Sequence, residues 1–247
     1  MYVWLFYLDD KTDKLTIGSK ETFWKPIEEA ICSYLANSNS TLPFLPSRIA
    51  AIINAFQDLW IELRRMEGIS ESQLELIQTE ILNHIKYSRI EARYLDKQYF
   101  PTIEEYLEMR PFTSGARLAV NFTCLEFQEN DIIKTTFWEK TAELRKLSTQ
   151  LIQIDNDFFS FNKEKKAEDH MNYIALLVKN EGMSLYQAKE RAMEVRKCYF
   201  NDFMAQNKKW MEDFNPENHL ILQQLKYIKY KITGARYWST EISKRYE

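Results

Sequence analysis

The sequence predicts an all-α protein, and three observations carry that expectation. Only 5 of the 247 residues are Gly and 6 are Pro, so tight turns and helix breakers are scarce. Apolar residues recur at three-and-four spacing, the signature of a helix with one buried face. No apolar–polar alternation of the kind a half-buried strand needs survives for more than a few residues. The length suits one large domain with a sizeable core, or two small ones. No repeat, low-complexity tract or linker divides it, so a single domain over 1–247 is expected.

Ten segments read as helices: 1–10, 21–37, 46–67, 70–99, 101–110, 112–128, 133–167, 168–180, 184–213 and 216–240. The first, "MYVWLFYL", is the most aromatic and ends on Asp9–Asp10; it has no basic lead and is too short to be a signal peptide or a membrane span. "SNSTLPFLPS" (38–47) reads as a loop before the next helix. In 46–67, Ile49, Ile52, Ile53, Phe56, Leu59, Trp60 and Leu63 form one apolar stripe. Pro46, Pro101 and Pro216 stand where helices should begin, and Gly68 and Gly182 where they should stop. The runs 70–99, 133–167 and 184–213 contain no Gly or Pro, while "NEGMS" (180–184) reads as a loop.

Composition removes several function classes. Lys plus Arg number 33 against 36 Asp plus Glu, a net charge of −3, so nothing favours nucleic acid. Cys32, Cys124 and Cys198 are too scattered for a disulfide framework, and with His84, His170 and His219 they make no zinc-site spacing. A reduced, cytoplasmic setting is expected, and the Asn-x-Thr matches at Asn39 and Asn121 then carry no glycosylation weight. Aromatic residues, at 14%, imply a ring-rich interior or cavity.

Two oxygen-rich stripes stand out. Asn156, Ser160 and Glu164 are spaced by four, so on a helix they drift by only about 80° over two turns. Amide, hydroxyl and carboxylate are hard donors that suit Mg²⁺ or Mn²⁺ rather than Zn²⁺, and Mg²⁺ commonly completes its shell with substrate phosphates. A solvated helix face would give the same spacing, but here Phe158, Phe159 and Phe161 fill the gaps. The second stripe is "LDDKTDK", where Asp9, Asp10 and Asp13 crowd three negative charges into five residues. A solvated turn or a cation site would each accommodate them.

Together the stripes resemble the class I terpene synthases. "DDKTD" (9–13) is similar to that family's aspartate-rich DDxxD motif, and "NDFFSFNKE" (156–164) matches NDxxSxxxE at every fixed position, including the Lys that often precedes the Glu. Four fixed residues give a chance match on the order of 10⁻³ for a chain of this length. In "YLEMRPFTSGA", Arg110 lies 46 residues before Asn156, where microbial members carry a diphosphate-sensing Arg before a helix break. Pro111 and Gly115 should supply that break. Thr113 then stands at a linker position often held by Asp, and Ser114 at the position whose backbone carbonyl helps trigger ionisation. "GARYWSTEISKRYE" resembles the family's closing Trp…Arg-Tyr pattern. Of its two Arg-Tyr pairs, Arg236–Tyr237 and Arg245–Tyr246, the second follows Trp238 as the family's order requires.

The resemblance implies a helical bundle around an aromatic cavity and a lyase that cyclises a linear prenyl diphosphate, farnesyl diphosphate foremost, to a sesquiterpene. Asp9, with Asp10 or Asp13, and the triad Asn156, Ser160 and Glu164 become ligands of Mg²⁺, three ions in the family, replaceable by Mn²⁺. Arg110, Lys163, Arg245 and Tyr246 become diphosphate contacts, with Arg110, Ser114 and Tyr246 in catalytic roles. Phe6 and Trp238 become walls for the carbocation. Monomer and homodimer both remain open. Family members carry several helices before the aspartate-rich motif, which this chain reaches at residue 9. A fragment, a misassigned start or a shortened member with an open cavity would each explain that, and weak or absent cyclase activity is expected of the chain as given. A prenyl diphosphate synthase is the alternative enzyme, although it would carry two aspartate-rich motifs; a helical scaffold is the alternative without catalysis.

Overall fold

The computed structural model describes residues 1–37, 44–126, 136, 138–213 and 219–243. All regular structure among the described residues is helical. The chain divides into two compact units, Met1–Tyr99 and Phe100–Glu247.

The first unit holds α1 (Tyr2–Asp13), α2 (Lys20–Ala36), α3 (Ser47–Arg65) and α4 (Glu71–Asp96). The stripe read from the sequence is the buried face of α3: Ile49, Ile52, Ile53, Phe56, Trp60 and Leu63 are buried. Phe56 gathers the rings of Trp4, Tyr34 and Trp60. Helices α2 and α4 are tied by Arg89 on Glu28 at 2.7 Å and Arg93 on Glu21 at 2.7 Å. Asp96, the last residue of α4, accepts from the backbone N–H groups of Gly18, Lys20 and Glu21 and so caps the start of α2. Ser70 and Gln73 form a reciprocal capping box that starts α4.

The second unit holds α5 (Ile103–Thr113), α6 (Ala116–Asn121), a 3₁₀ turn (Phe122–Glu126), α7 (Ala142–Lys166), α8 (Tyr173–Asn180), α9 (Leu185–Asp213) and α10 (His219–Tyr237), followed by a π-helical turn (Trp238–Ile242). Helices α6, α8, α9 and α10 all pack on α7. Leu144, Leu147 and Leu151 of α7, Phe203 of α9, and Leu225, Ile228 and Ile232 of α10 form one buried cluster.

The expected boundaries hold with instructive exceptions. Helices stop before Gly68 and Gly182, and Pro46 is the residue before α3. Pro216 lies outside the described residues. Pro111 does not break α5, which runs through it to Thr113. The break is at Gly115 alone, whose φ of 67° lies in the left-handed region that a side chain disfavours. Of the expected helix 112–128, the described residues form the end of α5, then α6 and the 3₁₀ turn, while 127 and 128 lie outside the described residues. The segment expected to be helical from residue 168 begins at Tyr173, because Asn172 caps α8 there.

Candidate active site

Arg110 enters from the last turn of α5, where Thr102 and Glu105 form the capping box that starts the helix. Asn156, Asp157, Ser160 and Glu164 come from α7, and Asn172 from the start of α8. The Arg110 guanidinium is buried and donates to Asp157 Oδ1 from Nε at 2.9 Å and from Nη2 at 2.6 Å. The same Nη2 donates to Asn156 Oδ1 at 2.8 Å. The other carboxylate oxygen of Asp157 accepts from the Tyr106 hydroxyl at 2.5 Å and from the Tyr173 N–H at 3.1 Å. Burial pushes the Tyr106 phenol well above its ordinary range, so it stays a donor.

Asn172 links the far end of the stripe. Its Nδ2 donates to the Asp157 carbonyl and to Glu164 Oε2, each at 2.7 Å, while its Oδ1 accepts from the N–H groups of Ile174 and Ala175. Burial raises the Glu164 carboxyl to about 8, against the downward pull of Arg110. Between these two ends Ser160 is 2% exposed, and its Oγ has no hydrogen-bond partner among the described residues. A buried hydroxyl left so costs roughly 1–3 kcal/mol. An amide oxygen, an orphaned hydroxyl and a carboxyl on one helix face fit a hard divalent cation, which would satisfy Ser160 and take the proton's place on Glu164.

In the first unit, Asp9, Asp10 and Asp13 bring one carboxylate oxygen each within 4.8 Å of one another at the end of α1. That turn is fixed from below. Lys20 is buried and donates to the Thr12 carbonyl at 2.6 Å, and Trp24 Nε1 donates to the Thr12 hydroxyl at 3.0 Å. Thr12 Oγ1 in turn reaches the Leu8 carbonyl at 2.9 Å. Phe6 is exposed on the same helix.

The remaining residues singled out by sequence fall as follows. Lys163 is half-buried beside Glu164. Ser114 ends α5, its N–H bonded to the Arg110 carbonyl, and the Thr113 hydroxyl is buried without a partner among the described residues. Trp238 is half-buried in the π-helical turn, while Arg245 and Tyr246 lie outside the described residues. Arg236, of the competing Arg-Tyr pair, is committed to Asp155 at 3.1 Å, and Arg196 reaches the same carboxylate at 2.5 Å. Asp157, Tyr106 and Asn172 were missed by the sequence reading. Asp157 is a fixed position of the motif, but it is turned about 100° from the stripe and so escaped an argument based on steps of four.

An all-α protein whose central helix carries hard oxygen donors beside a buried arginine is thus defined. Residues 1–200 match the model of terpene synthase family 2, C-terminal metal binding, and the chain belongs to that family. It is 26% identical over 166 residues to the alpha-muurolene synthase of Coprinopsis cinerea, a match covering 64% of this chain and 37% of that protein. The chain spans between 37% and 49% of the length of three such curated relatives. Among solved structures it resembles a point variant of cucumene synthase, with a TM-score of 0.77 at 18% identity over 99% of this chain and 80% of the other. It also resembles the 2-methylisoborneol synthase of Streptomyces coelicolor A3(2), solved with Mg²⁺ and 2-fluoroneryl diphosphate, with a TM-score of 0.76 at 17% identity, covering 100% of this chain and 76% of that one. No helix among the described residues is long and apolar enough to cross a membrane.

Proposed function

We propose that the chain is a single catalytic domain of a cytoplasmic terpene cyclase, monomeric or homodimeric, that ionises a linear prenyl diphosphate, farnesyl diphosphate foremost, and cyclises the resulting cation with release of diphosphate. The observation that carries the reading is the stripe of α7: Asn156, Ser160 with its orphaned buried hydroxyl, and Glu164, set beside the buried Arg110. Asn156, Ser160 and Glu164 would hold one Mg²⁺, and Asp9 with Asp10 and Asp13 the others of a set of three. Bound divalent cations supply the positive charge that makes diphosphate a better leaving group.

The chain's own groups do the rest. The planar fork of Arg110 meets two phosphate oxygens at once, which the point charge of Lys163 does not. Lys163, Arg245 and the Tyr246 hydroxyl add donors where negative charge grows as the allylic C–O bond breaks. The Ser114 carbonyl, one residue beyond α5, orients the breaking bond. Ring faces such as Phe6 and Trp238 would stabilise the cation, and closure of the site would have to keep water from it.

The test is Mg²⁺-dependent diphosphate release from farnesyl diphosphate. Asn156→Ala and Glu164→Ala should each abolish release while the folded state persists. Parent-like release by both variants would leave a helical scaffold as the better description.

A further inference from the structure

Asp157 and Tyr106 have no part in the reaction proposed above, yet they are 1% exposed each and are hydrogen-bonded to one another. Both oxygens of the Asp157 carboxylate are engaged. Oδ2 is fixed by the Tyr106 hydroxyl of α5 and the Tyr173 N–H of α8, so the carboxylate cannot rotate. Oδ1 then presents a fixed acceptor to Arg110, which stands one turn after Tyr106 on α5 and lies over its ring at 5.9 Å. With Nε and one Nη2 hydrogen committed to Oδ1, the planarity of the guanidinium dictates where the second Nη2 hydrogen points. It points at Asn156 Oδ1, 2.8 Å away.

That amide oxygen is the one a cation in the stripe would need. A divalent ion on it would bring two like charges within a few ångströms at a buried place, where water screens them poorly. Resting on the metal and diphosphate reading, we propose that Asp157 is a positioning residue: it docks Arg110 on Asn156, so that arginine and divalent cation compete for one amide oxygen until a diphosphate draws the arginine away. Cation binding and the release of Arg110 are then two sides of one equilibrium, and each anion that captures the arginine raises the affinity of the stripe for metal.

Mn²⁺ binding to the full chain, followed by electron paramagnetic resonance with and without inorganic diphosphate, tests this. Arg110→Met combined with Asp157→Asn removes both charges together, so no lone buried charge is left to unfold the protein. Without diphosphate, the Asn156-dependent ion should bind about five-fold or more tightly in the double variant than in the parent. With diphosphate the order should reverse, because the variant has lost its phosphate contact. A merely structural role would weaken binding under both conditions, and that result overturns the proposal. If the parent binds no Mn²⁺ that Asn156→Ala removes, the metal reading itself fails. In the unaltered chain, saturating Mg²⁺ should shift the Nε–H resonance of Arg110; a signal that stays in place overturns the competition even if the double variant does not fold.

Discussion

Arg110 and Asp157 bury a full positive and a full negative charge, with side chains 8% and 2% exposed. Their attraction is strong only because both pay for leaving water, so removing one partner is worse than removing both. Arg110→Ala should lower the unfolding free energy by about 3–5 kcal/mol in urea denaturation, and Arg110→Lys by less, since it keeps the charge but not the fork. A loss under about 1 kcal/mol for the Ala variant would mean that Asp157 is not isolated from water. Glu164 sets a second expectation. Its carboxyl sits at about 8 in the folded protein, above the unfolded value of 4.5, chiefly through burial. The stability this lends is fully present below pH 4.5 and is lost as pH rises through 8. Urea midpoints of the parent should therefore fall as pH rises from 4.5 to about 8 and level off above that, and Glu164→Gln should flatten that slope. Parallel profiles for parent and variant would refute the assignment. Neither effect was visible in the sequence, because Asp157 meets Arg110 only through a contact 47 residues long.

Helix identity was legible at the scale of the element, since it depends on near neighbours. The α3 stripe needed only three-and-four spacing, and the buried face follows it with Leu59 half-buried at its edge. Ends were harder where two breakers lay close together. Pro111 and Gly115 look equivalent in the sequence, but a Pro deep in the last turns forfeits one N–H bond and the helix continues, whereas Gly115 reverses φ. The start of α8 was set instead by Asn172, a cap whose amide also reaches back to α7. Asn172→Ala loses the cap, about 1 kcal/mol, and the two bonds its Nδ2 donates to the Asp157 carbonyl and Glu164, together roughly 1–3 kcal/mol. A total loss of about 2–4 kcal/mol should appear in thermal or urea unfolding. Asn172→Ser should recover the cap's share alone. If Ser and Ala behave alike, the two Nδ2 bonds are what matter and the cap is dispensable.

For the molecule as a whole, the proposed function would require that both oxygen clusters address one ligand. The acidic cluster belongs to Met1–Tyr99 and the stripe to Phe100–Glu247, so this is a question about energy coupling between units. Mg²⁺ with inorganic diphosphate should raise the unfolding midpoint of the parent; at ligand about one hundred times its dissociation constant the gain is about 2.7 kcal/mol. Asn156→Ala should remove most of that gain, and Asp9→Ala combined with Asp13→Ala should do the same. The informative variant carries all three substitutions. If one diphosphate is held through cations on both clusters, the first set of substitutions already destroys the site, and the second set adds almost nothing to the loss. If the clusters bind independently, the losses add within about 0.5 kcal/mol, and the two motifs do not serve a common substrate. Differential scanning of four proteins, each with and without Mg²⁺ and diphosphate, completes the cycle, and additivity would remove the ground for assigning a cyclase reaction to this chain.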